Sequence, residues 1–249
     1  MKKHIPNAIT CCNLISGCVA ITFALGHAYK LALLAIVAGA VFDFFDGMVA
    51  RLLHVSSPIG KELDSLADVV TFGVAPSMML FSFMTDLSYI SLVKDAGASG
   101  ISTLGGWIVY VPFLAFLMAA FSALRLAKFN LDERQTMGFI GLPTPANALF
   151  WASFIVGWGH SLLTYPTIMP ILLVLLVLSC YLLVSEIPMF ALKFKTWGWR
   201  GNEVKWAFLV TCIPPLLFLG YGSLAVIIAW YIVLSVITHK HTENQPPNS

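Results

Sequence analysis

The chain is expected to be all-α: a polytopic membrane helix bundle of about eight transmembrane helices, with both termini cytoplasmic. Three observations predict this. Of the 249 residues, 59% are hydrophobic and only 10% charged, far outside the usual balance of soluble globular domains. The apolar residues gather into runs long enough to cross a bilayer, separated by turn signals. The cations are sided. With eight spans, Lys2, Lys3, Arg51, Lys61, Arg125, Lys128, Arg134, Lys193, Lys195, Arg200, Lys205 and Lys240 fall on one side and Lys30 and Lys94 on the other, and such an excess marks the cytoplasmic face. The net charge of +2 carries less information than this sidedness.

The expected spans are 7–27, 31–53, 65–84, 106–128, 144–161, 166–188, 204–220 and 222–237. The first follows Lys2 and Lys3 and could pass for a signal peptide, but Pro6-Asn7 and Asn13 interrupt its apolar run, and removing it would invert the charge pattern. Arg51 closes the second, and the stretch Ser56-Ser57-Pro58-Ile59-Gly60 reads as a loop before the third. Residues 85–105, containing Ala96-Gly97-Ala98-Ser99-Gly100, read as a flexible outward-facing surface loop. The fourth span ends at Arg125 and Lys128, and 129–143 lies outside the membrane before the fifth. After the sixth, residues 189–203 alternate Lys193, Lys195 and Arg200 with Phe190, Phe194, Trp197 and Trp199, a belt suited to anionic headgroups. The last apolar run is too long for one span, and the signal Gly220-Tyr221-Gly222-Ser223 divides it; undivided, the count is seven. Pro214-Pro215 is expected to kink the seventh helix. Residues 242–249 read as a short disordered tail, so 1–249 is one membrane domain. The five cysteines show no metal-ligand spacing and read as packing residues; the six histidines show no metal motif either, and His27, His160, His239 and His241 read as helix-end residues.

The chemistry lies in residues 43–68. Asp43-x-x-Asp46-Gly47-x-x-Ala50-Arg51 is followed, after eight residues, by Gly60-x-x-x-Asp64-x-x-x-Asp68, and five of the twelve acidic residues fall in this segment, counting Glu62. A charge at the centre of a membrane helix costs about 2.5 to 3.5 kcal/mol on insertion scales, so clustered carboxylates call for a bound cation. Spacings of three and four put Asp43, Asp46, Gly47 and Ala50 on one helix face, and Asp64 and Asp68 on one face of the next. Hard carboxylate oxygens suit Mg²⁺, Mn²⁺ or Ca²⁺, and four from two helices can hold two such ions. Paired ions suit a pyrophosphate, with Gly47 and Ala50 small enough for a ligand to approach the backbone and Arg51 available to a phosphate.

The frame resembles the signature of the CDP-alcohol phosphotransferases, D-x-x-D-G-x-x-A-R-x8-G-x-x-x-D-x-x-x-D, at every fixed position. The resemblance implies that Asp43, Asp46, Asp64 and Asp68 hold two divalent ions and that Asp68 is also the catalytic base. It further implies that Gly47, Ala50, Arg51, Ser57 and Gly60 contact a CDP-lipid. Pro6-Asn7-x-x-Thr10-x-x-Asn13-x-x-x-Gly17 resembles the family's first helix, which puts Thr10 and Asn13 beside the nucleotide; equally, they are polar residues bonding within the bundle. A homodimer is implied by the same resemblance, and no nucleic-acid partner is expected.

The acceptor is narrowed by the flanks. The run 60–76, with Ser65 and Val69 after the third and fourth aspartates, is similar to membrane-embedded phosphatidylserine synthases, as are 123–130 and 139–146. The implied reaction transfers a phosphatidyl group from CDP-diacylglycerol to L-serine. Serine needs a cation for its carboxylate, for which Arg125 and Lys128 are available, and Asn130 and Asp132 are candidates to meet its ammonium. Arg125 and Lys128 are equally readable as ordinary positive-inside residues. Alternatives are another acceptor such as glycerol 3-phosphate, an ion or metabolite transporter, and a structural scaffold. A transporter would spread its carboxylates through the membrane depth, show broken-helix repeats and leave Gly47, Ala50 and Arg51 without a role.

Overall fold

The structure, a computed structural model, describes residues 4–55, 57–99, 106–131, 139–189, 198 and 202–243. Among these, helices α1 (His4–Leu25) and α2 (Tyr29–Leu52) form an antiparallel hairpin through a tight corner at Gly26, His27 and Ala28. Helix α3 (Pro58–Asp68) runs through a wider π turn (Val69–Val74) into α4 (Ala75–Ser99), making one long rod. Two 3₁₀ turns, Gly106–Val109 and Val111–Phe116, lead into α5 (Leu117–Leu131). Then come α6 (Thr144–Leu162), α7 (Met169–Val184), α8 (Glu203–Phe218) and α9 (Ser223–Glu243). The described residues thus form eight helical rods. Among the described residues, five helices are long and apolar enough to cross a membrane: His4–Leu25, Tyr29–Leu52, Pro58–Lys94, Gly106–Leu131 and Gly220–Thr238. Met169–Val184 and Val204–Phe218 are shorter apolar helices. A multi-pass membrane protein is the physical reading of this set.

Several boundaries differ from the sequence expectation. Ser57-Pro58-Ile59-Gly60 is a helix start rather than a loop: extended Ser57 caps α3, its hydroxyl accepting from the Gly60 N–H at 3.0 Å, and Pro58 opens the first turn. Residues 85–99 are helical, where a loop was expected, because Ser88 and Ser91 keep the helical phase of the buried face and satisfy their hydroxyls on the carbonyls of Ile108 and Leu87. Within 129–143, Asn130 and Leu131 complete α5, and Phe139–Ile140 pairs antiparallel with Pro188–Met189 in a two-residue ladder. The division at Gly220 holds: Gly220 takes a left-handed φ of 51°, and the 3₁₀ turn Gly220–Gly222 separates α8 from α9. Pro214 and Pro215 lie inside α8. Helix α9 extends to Glu243, and the rest of the expected tail, like most of the 189–203 belt, lies outside the described residues. Cys180 and Cys212 pack inside, but Cys11, Cys12 and Cys18 sit on the outer surface of α1; all are free.

The core is built around the long rod. Phe72, Met79, Leu80, Phe83, Ile36 and Trp151 are fully buried together, and the Trp151 indole N–H donates to the Ser179 hydroxyl at 3.1 Å, joining α6 to α7. The rod reaches α1 and α2 through Thr71. Its hydroxyl donates to the Asn13 carbonyl at 2.9 Å; its hydroxyl and backbone press into a notch at Gly17 and its methyl into one at Gly39, where an added Cβ would lie 2.5 Å from the nearest Thr71 atom. The π turn brings Thr71 to this point: Ala75 N–H reaches five residues back to Val70, and Pro76, having no N–H, could not have continued an ordinary ladder.

Candidate active site

The chain folds back on itself so that one end of the bundle collects the N-terminal half of α1, the C-terminal turns of α2, all of α3, the end of α5 and the start of α6. Asp43 and Asp46 come from α2, and Asp64 and Asp68 from α3. Asp43, Asp64 and Asp68 each offer a carboxylate oxygen within 4.8 Å of the others. Asp46 stands beside them, 7% exposed, on the cavity side. Helix α1 aims two of these groups. Thr10 Oγ1 donates to Asp46 Oδ2 at 2.6 Å, and Asn13 Nδ2 donates to Asp68 Oδ1 at 3.1 Å. Thr10 and Asn13 are both buried and bond within the bundle, and what they bond is the carboxylate cluster.

The donor set fits divalent cations. Two half-buried carboxylates and one buried one at this range repel one another, all the offered atoms are hard oxygens, and Asp64 Oδ1 is buried without a hydrogen-bond partner. Were the cluster to hold an ion, Thr10 and Asn13 would fix its carboxylates from behind, as outer-shell partners orient a metal site.

A cavity of about 280 Å³ opens beside the cluster, lined by Asp46, Gly47 and Ala50 of α2, by Ser57, Gly60, Lys61 and Asp64 of α3 and its cap, and by Pro6, Asn7 and Thr10 of α1. A Cβ on Gly47 would meet nothing within 4 Å, so this glycine leaves open space against the helix backbone. A Cβ on Gly60 would lie 2.9 Å from the Ser57 hydroxyl and 3.1 Å from Asn7 Oδ1, so this glycine lets the α3 cap close on α1. Arg51 turns back on its own helix, its Nε donating to the Gly47 carbonyl at 2.9 Å.

The two expected acceptor cations part company. Arg125 is buried at 8% exposure, within electrostatic reach of Asp68; its Nη1 lies 3.5 Å from the Thr144 hydroxyl, and its guanidinium covers the Phe129 ring at 5.2 Å. Lys128, three residues on, is exposed. Asn130 joins α5 to α3: its Nδ2 donates to the Ser65 hydroxyl at 2.8 Å, and its carbonyl accepts from Lys61 Nζ at 3.1 Å. Asp132 lies outside the described residues. Sequence reasoning gave no role to Lys61, Thr144 or the pair Ser122 and Asn147. Both amide atoms of Asn147 and the Ser122 hydroxyl are buried without partners, one helical turn from Thr144 and Arg125 respectively. Polar residues at helical spacing in an apolar segment were the available signal.

Residues 3–182 match the family described as CDP-alcohol phosphatidyltransferase. Curated relatives named CDP-diacylglycerol–serine O-phosphatidyltransferase are similar over different extents. The Bacillus subtilis protein is 39% identical over 147 residues, covering 57% of this chain and 70% of its own. The Mycobacterium tuberculosis H37Rv protein is 37% identical over 152 residues, covering 58% of this chain but only 46% of its own. The Helicobacter pylori 26695 protein is 28% identical over 244 residues, 95% of each chain.

Proposed function

Because the chain belongs to the CDP-alcohol phosphatidyltransferase family, we propose that it transfers the phosphatidyl group of CDP-diacylglycerol to L-serine, giving phosphatidylserine and CMP. The observation that carries this is the convergence of four carboxylates from two helices at one bundle end, beside a cavity with an open glycine face. The names of the relatives support serine as the acceptor, and so does a buried arginine in electrostatic reach of Asp68. Carboxylates gathered at one end, rather than strung through the membrane depth, favour a reaction site over an ion pathway.

In this mechanism Asp43, Asp46, Asp64 and Asp68 would hold two divalent ions, Mg²⁺ or Mn²⁺. When bound, these supply charge neutralisation of the pyrophosphate and of the charge developing on the transferred phosphoryl group. Gly47, Ala50, Ser57 and Gly60 shape the wall against which the nucleotide lies. Arg125 takes the serine carboxylate, which sets the hydroxyl beside Asp68; exposed Lys128 attracts the acceptor from solution. Asn13 occupies Asp68 Oδ1, leaving Oδ2 to accept the serine hydroxyl proton. The serine oxygen then bonds to the β-phosphorus, and the bond from that phosphorus to the bridging oxygen breaks with its electrons leaving on CMP. No covalent enzyme intermediate is needed.

The end carrying Arg51, Lys61, Arg125 and Lys128 would face the cytoplasm of a cell membrane, with Lys30 and Lys94 at the opposite end. The homodimer implied by the family is checked by light scattering in detergent. The deciding experiment is CMP release from CDP-diacylglycerol by purified protein with Mg²⁺ or Mn²⁺, comparing L-serine, glycerol 3-phosphate and inositol phosphate. Release with serine alone is expected, and a chelator should abolish it. Release only with another acceptor would keep the aspartate chemistry and overturn serine, whereas none with any acceptor would overturn the function.

A further inference from the structure

Among the described residues lining the nucleotide-sized cavity, Lys61 is the cation. Ser57, Gly60, Lys61 and Asp64 follow the spacing of a single helix face, so α3 presents its cap, a glycine, an ammonium and a carboxylate to the cavity in that order. Lys61 stands three residues before Asp64, about 4.5 Å along the axis. An anion drawn to ions at Asp64 therefore extends towards Lys61 and the positive end of the helix. Arg51, the other nearby cation, has its Nε committed to the carbonyl of Gly47.

The Lys61 ammonium rests on a neutral partner, the Asn130 carbonyl at the end of α5. That contact belongs to a closed loop of three bonds: Asn130 Nδ2 donates to Ser65 Oγ at 2.8 Å, and Ser65 Oγ donates to the Lys61 carbonyl at 3.2 Å. An ammonium has three donors, and a charged phosphate oxygen is a stronger acceptor than a peptide carbonyl. A phosphate in the cavity thus outcompetes Asn130 for the ammonium, while the bond between Asn130 and Ser65 keeps α5 on α3.

We propose that Lys61 is the phosphate arm of this site: it leaves the Asn130 carbonyl to hold the diphosphate of the CDP-lipid. The inference rests on the CDP-lipid reading and adds to it a residue outside the aspartate signature, with a resting contact that ligand binding breaks.

Calorimetric binding of CDP to the full chain in detergent with Mg²⁺ tests it. Lys61→Met should weaken CDP binding by about tenfold or more, the loss of one charge-assisted hydrogen bond. Lys61→Arg should restore affinity to within about threefold of the parent, and Asn130→Ala, which removes only the Ser65 bond, should stay within the same margin. Because Lys61 is exposed, the Met variant should fold, which its elution profile checks. CDP binding by Lys61→Met at the parent's affinity would overturn the proposal. So would an equal loss in Asn130→Ala, since Lys61 would then act only through the seating of α5. If the parent itself fails to bind CDP, the CDP-lipid reading falls and this inference with it.

Discussion

Asp68 is where most of the site's demands meet. It is 9% exposed, lies within 4.8 Å of two other carboxylates, accepts from Asn13 and lies within electrostatic reach of Arg125. Asp68→Asn keeps the shape but removes a negative charge and, in the proposed mechanism, the proton acceptor and one metal ligand. CMP release should fall by at least about a hundredfold, in line with general-base contributions, while calorimetry should still detect CDP binding. Near-parental turnover would remove Asp68 from the mechanism. Thr10 acts from behind: its hydroxyl is the hydrogen-bond donor to Asp46 at 2.6 Å. Thr10→Val preserves volume but loses that bond, and the Mg²⁺ or Mn²⁺ concentration for half-maximal activity should rise about tenfold or more. Asp43, Asp46, Asp64 and Asp68 were legible from spacing alone. That Thr10 serves Asp46 and Asn13 serves Asp68 was not, because those pairs lie 36 and 55 residues apart.

Two glycines of α2 do opposite work. Gly47 faces open space in the cavity, whereas Gly39, two turns earlier, receives the Thr71 methyl. Gly39→Ala should therefore cost about 1 to 3 kcal/mol by overpacking, seen as a lower thermal midpoint in detergent. Gly47→Leu should leave that midpoint nearly unchanged but fill the cavity and abolish CDP binding. The reverse pattern would mean that the cavity is not where the nucleotide sits. The α3 to α4 rod shows how far local sequence reading reached. Its apolar stretch was visible, but Ser57-Pro58-Ile59-Gly60 looks like a loop until the cap is seen, and the polar residues after 84 look like an exit from the membrane until their buried face is seen.

Across the whole molecule, the two ends differ in chemistry. One holds the aspartates and the cavity. At the other, His27, with a left-handed φ of 55°, bonds through Nδ1 to Asp86 at 3.0 Å, and Tyr29 donates to the same carboxylate at 3.2 Å. His27, read from sequence as a plain helix-end residue, thus ties the α1 to α2 corner to α4. The proposed orientation makes a sided prediction. In a cysteine-free background, Lys94→Cys should react with a membrane-impermeant maleimide added to intact cells, and Glu62→Cys only after lysis; the opposite labelling would invert the topology.

The sequence by itself determined the membrane character, the approximate helix runs and the four carboxylates, because hydropathy and helical spacing are local properties written within a single segment. Only the tertiary structure decided which helix supports which carboxylate, that Arg125 is buried against Thr144 and Phe129 while Lys128 faces out, and that Lys61 rests on Asn130. Each of those depends on how separate rods pack. The packing is set by contacts such as Thr71 in the notches of Gly17 and Gly39, where steric fit between distant residues, rather than periodicity, chooses the arrangement.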